Sequence, residues 1–426
     1  MQSGTVHVIG AGVAGLSAAV RLAGRGHHVI VHEQARQAGG RCRSYFDAAV
    51  GLTIDNGNHL VLSGNHAVRG LLATIGSENV LEGPASAEFP FVDLKSGERW
   101  SVRPNDGFFP WWILSRARRV PGSKAHEYLR LAPLLWAGPR TRIADAIACR
   151  GTLYERLWRP FLLAALNIEP ADGSARLAGA VLRETLAKGG EACRPLIATE
   201  GLSSAFVEPA RKYVEEHGGS VLLDRRLRAL ETGGGRVAGL DFGESKIALA
   251  PEDAVILAVP ARVAGMLLPE ISAPSEFNAI VNAHFRVAPP PGAPLMLGVV
   301  NGLIEWLFAF PDRLSVTISG ADRLIDAPRE SLAAEIWAEV AKIAGLGPEM
   351  PPWQIVKERR ATFSATPEQD NRRPAAATRW SNLVLAGDWT QTSLPATLEG
   401  AVRSGNTAAE LIAARNAVAA ASGTRG

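Results

Sequence analysis

Val6-His7-Val8-Ile9-Gly10-Ala11-Gly12-Val13-Ala14-Gly15 is a short apolar strand that runs into a glycine turn, and a helix of small residues follows it. A second strand, Val29-Ile30-Val31, ends on Glu33, with Gly39-Gly40-Arg41 close behind. Strand, glycine turn, helix, strand and acid in that order make a dinucleotide-binding unit. Gly10 permits the tight turn, Gly12 lets the backbone approach a pyrophosphate, and Gly15 lets the helix pack on the strand. The helix start, Ala14 included, offers free N–H groups and the positive end of the helix to phosphate oxygens. Glu33 lies roughly twenty residues beyond the turn, where its carboxylate can accept hydrogen bonds from ribose hydroxyls. A chance surface turn would reproduce the glycines but not the strand, helix and acid around them.

The bulk properties narrow the class. A chain of 426 residues has the length of two or three domains and can bury a sizeable core. Its 47% hydrophobic and 20% charged residues are an ordinary globular balance. A formal charge of +3 is too small to argue for a nucleic-acid partner. Cys42, Cys149 and Cys193 stand far apart, with neither metal spacing nor a disulfide framework, and read as small buried residues in a reducing compartment. The first strand begins almost at Met1, leaving no room for a signal peptide, and no apolar run is long enough to span a bilayer. The expected location is cytoplasmic, at most peripheral on the inner face of the membrane.

Further along, Asp55-Asn56-Gly57-Asn58-His59-Leu60 reads as a strand end and turn. Phe108-Phe109-Pro110-Trp111-Trp112-Ile113-Leu114 precedes Arg116, Arg118 and Arg119, and helical patterns then dominate to about residue 190, including Leu153 to Asn167 and Ala178 to Leu186. Strands return at Val221 to Leu223, Val237 to Leu240 and the apolar run Ala254 to Val259. Strand-like Leu295 to Val300, Trp306 to Phe310 and Leu314 to Ser319 come before a helix over Arg329 to Ala344. Leu383 to Asp388 is another buried strand, a last helix spans about Ala396 to Ala414, and residues after about Asn416 are expected to fray. The fold class is α/β: a Rossmann-like domain assembled from 1–70, 195–265 and 376–426. A mixed α+β substrate domain with a helical part takes 71–194 and 266–375. A nicotinamide dehydrogenase normally closes its Rossmann domain in one stretch, so the discontinuity matters.

Three features turn the dinucleotide into FAD. Gly39-Gly40-Arg41 admits the cofactor closely and brings a guanidinium to phosphate or flavin. Leu385-Ala386-Gly387-Asp388 ends a late strand on a carboxylate able to bind a ribityl hydroxyl. Leu394 to Val402 opens a helix whose N-terminus, at Thr397 and Leu398, can stabilise negative charge on a reduced flavin.

With these residues in view, the chain resembles the flavin-containing amine oxidase and carotenoid desaturase superfamily over nearly its full length. More narrowly it resembles the hydroxysqualene dehydroxylases of bacterial hopanoid pathways. Asp55 to His59, Ser63-Gly64-Asn65-His66, Leu157-Trp158-Arg159-Pro160 with Ala165-Leu166-Asn167, and Leu394 to Gly405 carry that narrower likeness. The resemblance implies that Gly10, Gly12, Ala14, Gly15, Glu33, Gly40, Arg41, Gly57, Asn58, Asp388, Thr397 and Leu398 hold FAD, and that Val221 to Leu227 passes near the adenine. No cysteine follows Cys193 and no histidine follows His284, so the attachment is expected to be non-covalent.

The activity so implied is reduction of hydroxysqualene to squalene: the allylic hydroxyl leaves and reduced flavin delivers hydride to the carbon. Such a site must assist hydroxide departure, hold the chain and exclude water. His59 is the candidate proton donor and Asn58 the group that orients a hydroxyl or water, whereas Asp55 more plausibly orders the loop. Glu200 and its Gly201-Leu202 turn, Trp158 and Asn167 have both cavity-lining and plain structural readings.

The expected partners are a hydrophobic triterpene and an external electron donor, because a second glycine fingerprint is missing. Aromatics and arginines at 108–119 read either as a membrane-contact segment or as an ordinary helix with a wet face. Rival readings are a carotenoid desaturase, an amine oxidase and a cofactor-free lipid carrier. Thr397 stands where many amine oxidases carry a caging tyrosine, which disfavours the second; Glu33, Arg41 and Asp388 disfavour the third.

Overall fold

A computed structural model describes residues 4–423, with side chains to 415. The nucleotide unit forms as its residues dictate. Val6–Ile9 is fully buried and pairs in parallel with Val29–His32 on one side and Ala254–Leu257 on the other. Ser220–Leu222 and Leu383–Leu385 extend this parallel sheet at its two edges. Five strands from four distant parts of the sequence thus lie side by side, and the inner ones are buried and mostly apolar.

Gly10, at φ +108°, makes the turn out of the first strand, and a Cβ there would sit 2.5 Å from the Ala258 carbonyl. The helix Val13–Ala23 follows, and a Cβ on Gly15 would collide with the Gly10 carbonyl. The late helix, Leu398–Gly423, crosses the first one so closely that a Cβ on Gly405 would run into the Ala14 carbonyl. The expected fraying past Asn416 falls on residues whose side chains lie outside those described.

The second unit is built on a seven-stranded sheet with Trp353–Phe363 at one edge and Arg99–Val102 at the other. Trp306–Phe310 forms as expected, and the strand expected over Leu314 to Ser319 runs one residue earlier, over Arg313–Ile318. One face carries Leu314, Val316 and Ile318 and is covered by the helix Arg329–Ala344 through Ile336, Trp337 and Val340. Alternation then puts Arg313, Ser315, Thr317 and Ser319 on the opposite face, toward the Asp55–His59 loop. The strands Phe277–Phe285 and Trp353–Phe363, the longest pair in this sheet, are absent from the pattern reading.

Helical structure between 108 and 190 is present but broken: 3-10 turns at Trp111–Leu114 and Leu129–Trp136, and a π-helical turn at Tyr154–Trp158 leading into Arg159–Leu166. Asn167 caps that last helix in the left-handed conformation (φ 54°). Its side chain accepts from Gly320 N–H at 2.7 Å and donates to Thr362 Oγ1 at 2.9 Å, so its capping role also ties the helical part to the sheet.

Candidate active site

Glu33 is buried beside the glycine turn. Its Oε2 accepts from Ala11 N–H at 2.8 Å and its Oε1 from Ala35 N–H at 2.9 Å. Both oxygens keep a lone pair for a ribose hydroxyl. The stretch after Ser220–Leu222 runs alongside, with Arg225 N–H donating to the Glu33 carbonyl at 2.7 Å. A Cβ on Gly12 would meet nothing within 4 Å, and one on Gly40 would meet only the Gly12 Cα at 3.5 Å. These two glycines, bridged through Gly39, wall an open channel at the helix start. The first intrahelical bond there is Leu16 N–H to Gly12 C=O, so the N–H groups of Val13, Ala14 and Gly15 precede the helical ladder. The residues fit a dinucleotide.

The late motif reaches the same place. Arg41 Nη2 donates to both Asp388 oxygens at 2.8 Å, while Nη1 donates to the Ala361 carbonyl at 2.5 Å. The Asp388 carboxylate raises the Arg41 guanidinium above its usual range. Asp388 and Arg41 therefore act as one paired unit and not as two separate contacts. Behind them, buried Arg373 donates to the Asp388 carbonyl at 3.0 Å and to Thr392 Oγ1 at 2.7 Å. Thr397 is the helix-start residue: its Oγ1 accepts from Gly400 N–H at 3.0 Å, and Leu398 is the first helical position.

Glu399, unremarked in the sequence, does a different task. Its buried carboxylate accepts from Ala67 and Val68 N–H at 3.1 and 3.0 Å, satisfying the start of the helix His66–Thr74.

The Asp55–His59 loop sits between these parts and the sheet. Asp55 Oδ1 accepts from Ser44 Oγ at 2.6 Å and Leu202 N–H at 2.9 Å, which fixes the Gly201 turn. Burial raises its pKa, against those bonds and the Arg313 charge, and its bonding is that of a loop-ordering residue. A Cβ on Gly57 would press on Asn282 Nδ2 at 3.1 Å. Asn58 Nδ2 donates to Thr317 Oγ1 at 3.0 Å, and Thr317 Oγ1 donates to Asn282 Oδ1 at 2.8 Å. Asn58 Oδ1 is buried with no partner, an acceptor held in reserve. Burial, then the Arg41 charge, lowers the His59 imidazole to about 4, so it is neutral at physiological pH.

The pattern reading also overlooks Glu305. Burial pushes its carboxyl up to about 7, and Oε2 accepts from Ser319 N–H at 2.8 Å. Ser319 comes just after the strand Arg313–Ile318, two residues beyond Thr317, a spacing of roughly 7 Å in extended chain. The available signal is a lone acid inside the apolar run Leu303-Ile304-Glu305-Trp306-Leu307-Phe308.

An enzyme that gathers a glycine cradle, a ribose acid and a paired Arg–Asp from distant segments around FAD is a flavin-dependent oxidoreductase. Residues 13–413 match the family described as flavin containing amine oxidoreductase, and the chain belongs to that family. Within it, the chain is 59% identical to the hydroxysqualene dehydroxylase of Rhodopseudomonas palustris, over 97% of this chain and 99% of the relative. It is 46% identical to that of Zymomonas mobilis, over 95% and 98% respectively. The 15-cis-phytoene desaturase of Synechococcus elongatus is more distant, at 24% over 96% of each chain. Cyclohexylamine oxidase from Brevibacterium oxydans, a solved structure, shares the fold with a TM-score of 0.69 at 16% identity, over 97% of this chain and 99% of that one. The narrower likeness carried by Asp55–His59 and the late motif thus agrees with the curated relatives.

Proposed function

We propose that the protein carries out FAD-dependent reductive dehydroxylation of hydroxysqualene to squalene in hopanoid or triterpene biosynthesis. The near full-length 59% identity to a hydroxysqualene dehydroxylase carries this reading. When bound and reduced, FAD supplies the hydride that replaces the departing hydroxyl. The chain's own residues supply the rest. Asn58, whose Nδ2 is committed to Thr317, offers its free Oδ1 to the substrate hydroxyl's proton. His59, held neutral, orients that hydroxyl through a hydrogen bond and has no imidazolium proton to give. Glu305, with its carboxyl held up to about 7 and so still half protonated there, provides the proton that lets hydroxide leave as water. Apolar walls such as Trp306 and Phe308, on the same face as Thr317, exclude bulk water from the electron-poor carbon. The reading keeps FAD non-covalent, draws electrons from an external donor, involves no nucleic acid and sets the enzyme in the cytoplasm. Among the described residues, no helix is long and apolar enough to cross a membrane.

Product analysis tests the reaction. Anaerobic, reduced holoenzyme mixed with hydroxysqualene is expected to yield squalene in step with flavin reoxidation. Reoxidation by a carotenoid precursor instead, with hydroxysqualene inert, would move the assignment to the desaturases. Glu305→Gln is expected to cut turnover roughly a hundredfold or more while FAD content stays whole. In the wild type, turnover limited by this acid falls as pH rises through about 7. Undiminished turnover in Glu305→Gln would put the proton donor elsewhere.

A further inference from the structure

We propose that the connection between the strand Arg99–Val102 and the helix Ile143–Ala146 is a docking surface for an anionic lipid bilayer. Two observations carry this, and neither depends on the substrate assigned above.

The first is where apolar side chains face solvent. Of nine large hydrophobic residues exposed among those described, six lie in this one connection: Phe108, Phe109, Trp111, Leu114, Leu129 and Trp136. Phe108 is 81% exposed, Phe109 70% and Trp136 79%. Isolated exposed apolar residues are ordinary, but their concentration in one short segment marks an interaction surface.

The segment does not expose them for want of internal order. Asn105 accepts from Trp112 N–H and donates to the Phe109 carbonyl, both at 3.0 Å, which fixes the loop carrying the two phenylalanines. Trp112 is buried edge-on against Tyr128 at 5.1 Å, and Val120 N–H donates to the Tyr128 hydroxyl at 2.9 Å. Trp111 and Leu129, next to these two anchors in sequence, are therefore held outward by well-packed neighbours.

The second observation is charge. Residues 103–142 contain eight arginines and lysines against Asp106 and Glu127, a net of +6, while the whole chain carries +3. All the chain's excess positive charge lies in this connection, and the remainder is net negative. Arg118 lies over the Trp111 ring at 4.6 Å, a pairing of cation and interfacial aromatic. Aromatics at the headgroup level flanked by cations match the chemistry of an anionic leaflet. A second copy of the chain fits this face poorly, since a two-fold contact would set two such positive surfaces against each other.

Vesicle co-sedimentation of the FAD-loaded protein tests the proposal. Wild type should bind vesicles of phosphatidylcholine with about a third phosphatidylglycerol, and bind pure phosphatidylcholine far less; rising salt should weaken the binding. Arg116→Gln/Arg130→Gln/Arg140→Gln should lower partition onto the anionic vesicles roughly a hundredfold, at about fivefold per cation. Phe108→Ser/Phe109→Ser/Trp136→Ser should lower it at least roughly tenfold while retaining FAD and the thermal midpoint. Wild-type protein that ignores anionic vesicles would overturn the proposal, as would serine variants that bind like wild type. So would a wild-type dimer that becomes monomeric in the serine variant, because a second copy would then own the surface. None of these readouts involves turnover, so the docking surface and the dehydroxylase reading can fail separately.

Discussion

A Glu33→Ala variant is expected to purify colourless. Its carboxylate links the glycine turn to the loop after the second strand by accepting from Ala11 and Ala35 N–H. Alanine leaves both donors without a partner, at about 1–3 kcal/mol each, and removes the acceptor for the ribose. Every 1.4 kcal/mol is a factor of ten in affinity, so FAD binding should weaken by roughly a hundredfold or more. The parallel sheet does not rest on Glu33, so far-UV circular dichroism should stay near wild type. Glu33→Gln keeps one carbonyl oxygen and should fall between. The ratio of absorbance at 450 and 280 nm, followed by FAD titration of the apoprotein, measures the loss. A yellow Glu33→Ala protein with wild-type affinity would remove this acid from the cofactor site.

The glycine turn and its acid are legible in the sequence because the side-chain bonds that join them, Ala11 and Ala35 N–H to the Glu33 carboxylate, link residues near each other in the chain. So are Thr397 as a cap and the apolar strands 254–257 and 383–385, which need only a run of buried side chains. What escaped reading depends on partners far away. Arg41 and Asp388 are 347 positions apart, and nothing in either local motif says that they neutralise each other. Glu399 sits in the late flavin motif yet serves the start of another helix.

The strand Trp353–Phe363 carries Lys357, Glu358, Arg359 and Arg360 in succession, which looks like a solvated loop. It is tolerated as a strand because it forms the sheet edge, and Lys357 Nζ finds the Ile325 carbonyl at 3.0 Å. In Phe277–Phe285 the alternation is present, but alanines and asparagines dilute it. Asn282 and His284 face the Asp55–His59 loop, Asn282 Oδ1 accepting from Asn58 N–H at 3.4 Å, so residues that hide the strand also build the site wall.

Acid should unfold this protein earlier than its charge balance suggests, because histidines are held neutral in it: His32, His284 and His59 most strongly, with His7 and His27 lowered in the same sense. Burial lowers His32 and His284 to about 3 and His59 to about 4, against an ordinary value of 6.5. Below pH 6.5 the unfolded chain takes up these three protons and the folded one does not, so protonation favours unfolding. Glu305 works in the opposite sense: at about 7 against an ordinary 4.5, it binds a proton in the folded state that the unfolded state lacks. The three strongest histidines against Glu305 leave a net difference of two protons, to which His7 and His27 add, so stability should fall by at least about 2.7 kcal/mol per pH unit between roughly pH 6 and 5. Against a typical total of about 5–15 kcal/mol, that is enough to bring unfolding within two or three pH units of neutrality.

Urea denaturation at pH 7.5, 6 and 5 measures the slope, and two variants check its origin with opposite signs. His284→Asn removes one of the three protons and should flatten the slope by about 1.4 kcal/mol per pH unit. Glu305→Gln removes the opposing group and should steepen it by about the same amount. A stability curve flat from pH 6.5 to 5, or variants that shift it in the same direction, would mean that these groups titrate alike in the folded and unfolded chain.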